Sequence, residues 1–208
     1  MIYDKMVALV GSAGAGKTYI SNIFRQYGVP VFNTDECAKT LMNEDKRIIS
    51  NLKSKFGAKI YNKDKKLNKD KLRELIFKNE KNLEFVEALV HPAVWKQFMD
   101  WKFEKIFIEH KRFVIMENAI LTKSENYKLF KYAILVDAPI KIRQERIMTR
   151  DGMTKEKMQM IFDNQESPTY VHSKLSSAGV HVNTIINNGV LNVEERIRLF
   201  IDIFRVGL

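Results

Sequence analysis

The chain is poor in cysteine, proline and long apolar runs, and short of acidic residues relative to basic ones. Its single cysteine, Cys37, excludes an intrachain disulfide and a cysteine-based metal cluster. The four histidines, His91, His110, His172 and His181, show no ligand spacing, so a histidine metal centre is not expected either. No apolar stretch approaches the roughly 20 residues that span a bilayer. Asp4 and Lys5 interrupt any signal-peptide layout at the start, so the expected compartment is the cytoplasm, with no membrane partner. Against 25 Asp and Glu stand 35 Lys and Arg, a net charge of +10. Such a balance fits nucleic-acid binding, a site for polyanionic nucleotides, or a lysine-rich surface with no specific partner. The lysines crowd residues 53–71, which read as an exposed insertion without aromatic interleaving. Nucleic acid is therefore not the expected partner, and the expected state is a monomer or weak homo-oligomer.

What is present is more specific. Hydrophobic residues make up 45% of the chain and charged residues 29%, as in a globular domain. Residues 11 to 18 read Gly11-Ser12-Ala13-Gly14-Ala15-Gly16-Lys17-Thr18, directly after the apolar run Met6-Val7-Ala8-Leu9-Val10. This is G-x-x-x-x-G-K-[ST] at the end of a buried strand. Residues 18–27 follow with Ile20, Ile23, Phe24 and Tyr27 on one helical face. Strand, glycine turn and helix together form a phosphate-binding loop: backbone N–H groups and a helix N-terminus point at an anion. Lys17 is expected to reach the β- and γ-phosphates, and the Thr18 hydroxyl to bind Mg²⁺.

Four more segments read as core strands, at 29–32, 113–116, 132–136 and 184–186. Continuous apolar strands alternating with helices predict an α/β fold, a parallel sheet covered on both faces. Ligands of such sheets lie at the carboxyl ends of the strands. Residues 36–110 read as helices at 36–42, 46–56, 69–77, 83–89 and 92–110, too much chain for a simple crossover. The expected organisation is one domain, 1–208, with a helical acceptor-binding insertion at 36–110 and a lid region at 141–177.

Several polar residues sit where chemistry is possible. Asp35 follows the second strand. It suits a proton acceptor for an attacking hydroxyl, and equally a helix N-cap or first-turn acid. Glu117 follows the third strand, where an acid holds Mg²⁺ through water, positions substrate, or simply decorates the surface. Arg143, Arg146 and Arg150 share one helical face before a break at Asp151-Gly152-Met153-Thr154. An arginine face beside a phosphate loop suits a lid that stabilises a transferring phosphoryl group; alone it would read as a solvated basic face. His91 precedes Pro92 between two expected helices, as a cap or a phosphate ligand. Trp95, Phe98 and Trp101 recur at three-residue steps and read as packing, or as a wall of the acceptor pocket.

Taken in order, these residues resemble the dephospho-CoA kinase family, over nearly the whole chain. The resemblance rests on the phosphate loop, on Val31-Phe32-Asn33-Thr34-Asp35-Glu36-Cys37-Ala38, on Phe56-Gly57 and Leu72-Arg73-Glu74-Leu75-Ile76-Phe77, and on Glu87-Ala88-Leu89-Val90-His91-Pro92. Gln144-Glu145-Arg146, Arg150-Asp151-Gly152, Gln165 and Ile185-Ile186-Asn187-Asn188-Gly189 complete it. It implies a P-loop, nucleoside-monophosphate-kinase-like fold with a five-stranded parallel sheet. It implies an ATP- and Mg²⁺-dependent kinase that phosphorylates the ribose 3′-hydroxyl of dephospho-CoA to give coenzyme A. On that reading Lys17, Asp35, Arg146 and Arg150 are catalytic, and residues 11 to 18 with an adenine-contacting loop at Asn187, Asn188 and Gly189 bind ATP. Asp35, His91 and Glu117 bind the acceptor. The chain departs from the family's usual Asp at Glu117, from an aromatic-Glu-Ser-Gly run at Thr122-Lys123-Ser124-Glu125, and from Ala-Asp before the last strand. Two rivals remain at this point: a nucleoside monophosphate kinase, and a nucleotide-regulated nucleic-acid-binding protein.

Overall fold

The computed structural model describes residues 5–77, 79–152 and 155–207. Its strands are β1 (Met6–Gly11), β2 (Val31–Asn33), β3 (Val114–Glu117), β4 (Tyr132–Asp137) and β5 (His181–Ile186). Its α-helices are α1 (Lys17–Gln26), α2 (Thr34–Glu44), α3 (Lys46–Phe56), α4 (Lys69–Phe77), α5 (Glu80–Phe103), α6 (Ile140–Asp151), α7 (Lys155–Asp163), α8 (Pro168–Ser177) and α9 (Val193–Gly207). The chain divides into two compact units, Met1–Phe32 with Phe103–Leu208, and Asn33–Lys102.

The first unit is built on a five-stranded parallel sheet in the order β2-β3-β1-β4-β5. Central β1 is buried along its whole length and pairs with β3 (Leu9 opposite Glu117) and with β4 (Val10 opposite Leu135). Val7 and Leu9 of β1 join Ile20 and Phe24 of α1, Ile115, Ile134, and Ile197 and Ile201 of α9 in one apolar core. β1 stops where the strand order reverses, so whatever follows it lies in the crevice between neighbouring crossovers. Helix α1 ends as its sequence requires. The Gly28 N–H donates to the Arg25 carbonyl and the Val29 N–H to the Phe24 carbonyl, which closes the last turn. Strand β5 begins at His181, three residues before the apolar run at 184–186. His181 and Asn183 are exposed on this edge strand, so polar side chains masked its start in the sequence.

The second unit is helical. Leu41 of α2, Ile48 and Leu52 of α3 and Ile60 are buried, and a turn at 61–67 is tied back by Leu67 N–H to Asn43 Oδ1 (2.8 Å). The lysines from Lys53 to Lys71 are all exposed, as expected. One expectation fails here. The helices read at 83–89 and 92–110, with a break at His91-Pro92, form the single helix α5, followed by a π-helical turn at Glu104–Ile108. Proline in a helix removes one hydrogen bond and clashes with the preceding turn, at a cost of about 3 kcal/mol. Here Val90, Val94, Phe98 and Lys102, buried at four-residue steps on both sides of Pro92, hold the axis together. Phe98, fully buried, has its ring 5.5 Å from that of half-buried Trp95 and 6.3 Å from that of half-buried Trp101, so the three rings pack on one another.

Candidate active site

The turn after β1 leaves the sheet at its carboxyl edge and enters α1 at Lys17. Gly16 caps that helix with φ +97° and, being glycine, lays no cap side chain over the first N–H groups of α1. With the helix dipole behind them, N–H groups at such a helix start suit an anion. The loop tolerates no side chain at its tightest points. A Cβ on Gly14 would lie 2.5 Å from the Arg143 carbonyl oxygen, and one on Gly16 would lie 2.2 Å from Asn187 Nδ2.

Every loop carbonyl from Gly11 to Ala15 accepts a hydrogen bond. Lys17 Nζ donates to the Gly11 oxygen (2.6 Å) and, at 3.5 Å, to that of Ser12. Arg143 Nε donates to the Ala13 oxygen at 3.0 Å. Arg146 Nη1 lies 3.3 Å from the oxygens of both Gly14 and Ala15, and Asn187 Nδ2 donates to Ala15 at 3.0 Å. Arg146 Nη2 in turn reaches Asn187 Oδ1 at 3.4 Å. In a trans peptide the N–H points opposite to the carbonyl. Drawing the Ala13 and Ala15 oxygens toward these donors therefore turns the Gly14 and Gly16 N–H groups the other way. Cationic and amide side chains thus orient the dipoles of the loop.

Glu117, at the end of β3, is only 6% exposed. It accepts from Ser21 Oγ at Oε2 (2.8 Å) and from Thr18 Oγ1 at Oε1 (3.4 Å). The surface-acid alternative is thereby removed. Ser21 is a contributor the sequence reading missed, although it lies three residues past Thr18 on the same face of α1. Arg143 is also more than a member of an arginine face. It is 7% exposed, stacks over the Phe162 ring at 4.6 Å and braces the loop. Burial pulls its pKa down, and the nearby Asp137 carboxylate opposes that. Gln165 accepts the Ala13 N–H at 3.0 Å. Arg150 is exposed near the end of α6, whose C-cap is Gly152 at φ +58°. Met153 and Thr154, read as part of the break after α6, lie outside the described residues.

Asn187 is buried and its amide holds Ala15, while Asn188 Oδ1 accepts from Val190 and Leu191 N–H. Gly189 is exposed at the turn before α9.

In the second unit, Asp35 is exposed in the first turn of α2. The N-cap is Asn33, whose Oδ1 accepts the Glu36 N–H at 3.0 Å, so the capping alternative for Asp35 is excluded. His91 lies half-buried in the middle of α5, so it caps no helix.

The family model for dephospho-CoA kinase matches residues 5–190. The chain belongs to the dephospho-CoA kinase family. A dephospho-CoA kinase of Porphyromonas gingivalis is 34% identical over 181 residues, covering 87% of this chain and 85% of that protein. One from Buchnera aphidicola is 31% identical over 165 residues, covering 79% and 76%. Among solved structures, TT1252 from Thermus thermophilus superposes with a TM-score of 0.79 at 21% identity, covering 99% of both chains. Dephospho-CoA kinase from Campylobacter jejuni gives 0.64 at 21% identity, covering 97% and 98%; these two likenesses show the shared fold.

Proposed function

We propose that this chain transfers the γ-phosphoryl group of ATP to the ribose 3′-hydroxyl of dephospho-CoA, giving coenzyme A. The observation that carries this reading is the oriented phosphate loop, in a chain that the family model matches over residues 5–190. Phosphoryl transfer needs little covalent help from the protein; positioning and electrostatics supply most of the rate. Gly14 and Gly16 N–H groups and the start of α1 hold the phosphates. Lys17 exchanges its loop carbonyls for β- and γ-oxygens when ATP arrives. Arg146 and Arg150 compensate charge as it spreads over the transferring group. Asp35 takes the proton of the attacking hydroxyl or orients it. Asn188 and Gly189, the accessible part of their loop, contact adenine, with Asn187 acting through Ala15. His91 serves the acceptor.

The residues around Thr18 fit Mg²⁺. A hydroxyl and a carboxylate, Thr18 and Glu117, stand together as hard oxygen donors. The described residues contain no group of three or more His, Cys, Asp and Glu that could hold a metal. The ion would therefore share its remaining positions between ATP and water, as Mg²⁺ does in nucleotide sites. When bound it neutralises charge between the β- and γ-phosphates. Glu117 sets the Thr18 hydroxyl for that contact and is better suited to it than to the acceptor.

No described helix is long and apolar enough to cross a membrane. The natural setting for the enzyme is the cytoplasm. The deciding experiment is ADP release, coupled to an indicator, with dephospho-CoA, AMP, CMP, adenosine and pantothenate offered in turn. Release that depends on dephospho-CoA is the expected result; equal release with AMP or CMP moves the chain to the nucleotide kinases.

A further inference from the structure

Both backbone groups of Ala13 are taken by side chains from one stretch of the chain. Its N–H donates to Gln165 Oε1 at 3.0 Å, and its carbonyl accepts from Arg143 Nε at 3.0 Å. Arg143 stands on α6 and Gln165 in the connection between α7 and α8. The two are joined to each other through Phe162. Its ring lies 4.6 Å from the Arg143 guanidinium, and its carbonyl accepts the Gln165 backbone N–H at 3.2 Å. Ala13 is thus gripped from both sides, in the middle of the loop that receives the phosphates.

The chemistry of the two grips is matched to that place. Arg143 draws the Ala13 oxygen outward, which turns the Gly14 N–H the other way. Gln165 offers an acceptor that carries no charge. A carboxylate in that position would add repulsion beside a polyphosphate. The adjacent acid, Glu166, accepts from the Thr122 hydroxyl and stands 3.9 Å from Lys174 Nζ, so its charge is compensated.

We infer that Gln165, acting with Arg143 through Ala13, is a positioning residue for phosphoryl transfer that fixes the seat of the terminal phosphate. Most groups that bind the phosphates stay in place without it, so its loss loosens alignment more than affinity. A small displacement of a reacting group is enough to cost a large factor in rate. The inference rests on the kinase reading for its kinetic consequence, though not for the contact itself.

The test uses Gln165→Met, which keeps the length of the side chain and removes the acceptor. Amide exchange at Ala13, followed by NMR without nucleotide, should quicken by about tenfold, the size of one lost hydrogen bond. With ATP and dephospho-CoA, kcat should fall by about tenfold while KM for ATP stays within about twofold. Combined with Arg143→Lys, the loss should be much less than the product of the two single losses, because both act on one residue. Unchanged exchange at Ala13 overturns the contact, whatever the acceptor proves to be. Faster exchange with kcat intact, a rise in KM alone, or multiplicative losses overturn the positioning role. If Gln165→Met fails to melt cooperatively, Gln165→Asn, which withdraws the acceptor by one methylene, replaces it in the same measurements. Should the wild type ignore dephospho-CoA, the proposed activity falls while the exchange result still decides the grip on Ala13.

Discussion

The side-chain amide of Asn187 occupies the space where a side chain on Gly16 would begin: a Cβ there would meet Nδ2 at 2.2 Å. The same amide donates to the Ala15 carbonyl at 3.0 Å, so it cannot retreat without releasing the loop. Gly16→Ala adds this clash to a φ of +97°. The variant should lose about 1–3 kcal/mol of stability from backbone strain, with more from the displaced amide. ATP affinity should fall with it. A thermal melt together with nucleotide titration checks this; a stable variant with normal affinity would mean the loop is looser than described.

Glu117 predicts a contrast between two variants. Glu117→Ala leaves the fully buried Ser21 hydroxyl without its acceptor. It should cost about 1–3 kcal/mol in a denaturant titration. Glu117→Gln keeps an acceptor and removes the charge, so its stability should change less. Its Mg²⁺ requirement should rise by about tenfold, the low end of the roughly 10–100-fold loss that follows removal of a metal site's supporting partner. Equal Mg²⁺ dependence in Glu117→Gln and wild type would remove Glu117 from the metal site.

Asp35 and Asn33 separate chemistry from capping. Asn33→Ala should destabilise α2 by about 1 kcal/mol and leave the chemical step alone. Asp35→Asn should lower kcat by about 10²–10⁴ while ATP affinity and melting temperature hold. A variant of Asp35 that turns over normally would leave it a first-turn acid that only complements the helix dipole.

Arg146 is assigned to the transferring group and also braces Gly14 and Ala15, so Arg146→Ala should lower kcat at saturating ATP. Lys65→Ala, an exposed change in the lysine-rich stretch, should stay within about 0.5 kcal/mol in stability and leave kinetics unaltered. Matching behaviour of the two variants in steady-state assays would return Arg146 to the status of a surface charge.

The phosphate loop was legible because its constraints are local. Glycine spacing, the strand before it and the helix after it lie within one short stretch. Asp35 and Glu117 were legible as acids after strands, and only the burial of Glu117 with its hydrogen bonds from Thr18 and Ser21 removed the surface-acid reading. Arg143, Gln165 and Asn187 were singled out in the sequence, but their role as braces of the loop was not legible. They lie 130, 152 and 172 residues from the loop residues that they hold, and no periodicity encodes such contacts. The break expected at His91-Pro92 failed for the opposite reason. A strong local signal was overridden by packing from Val90, Val94 and Phe98, which sequence windows weigh only by pattern.

The position of the new phosphate tests the central claim most directly. Dephospho-CoA and AMP both present an adenosine ribose, and only dephospho-CoA carries the remote contact area whose binding energy can align the 3′-hydroxyl. Phosphorus NMR of the product formed from ATP and dephospho-CoA should show one new phosphomonoester, removable by a 3′-nucleotidase, with AMP turned over far more slowly. Formation of ADP from AMP at comparable kcat/KM, with no 3′-phosphate on dephospho-CoA, would contradict the account.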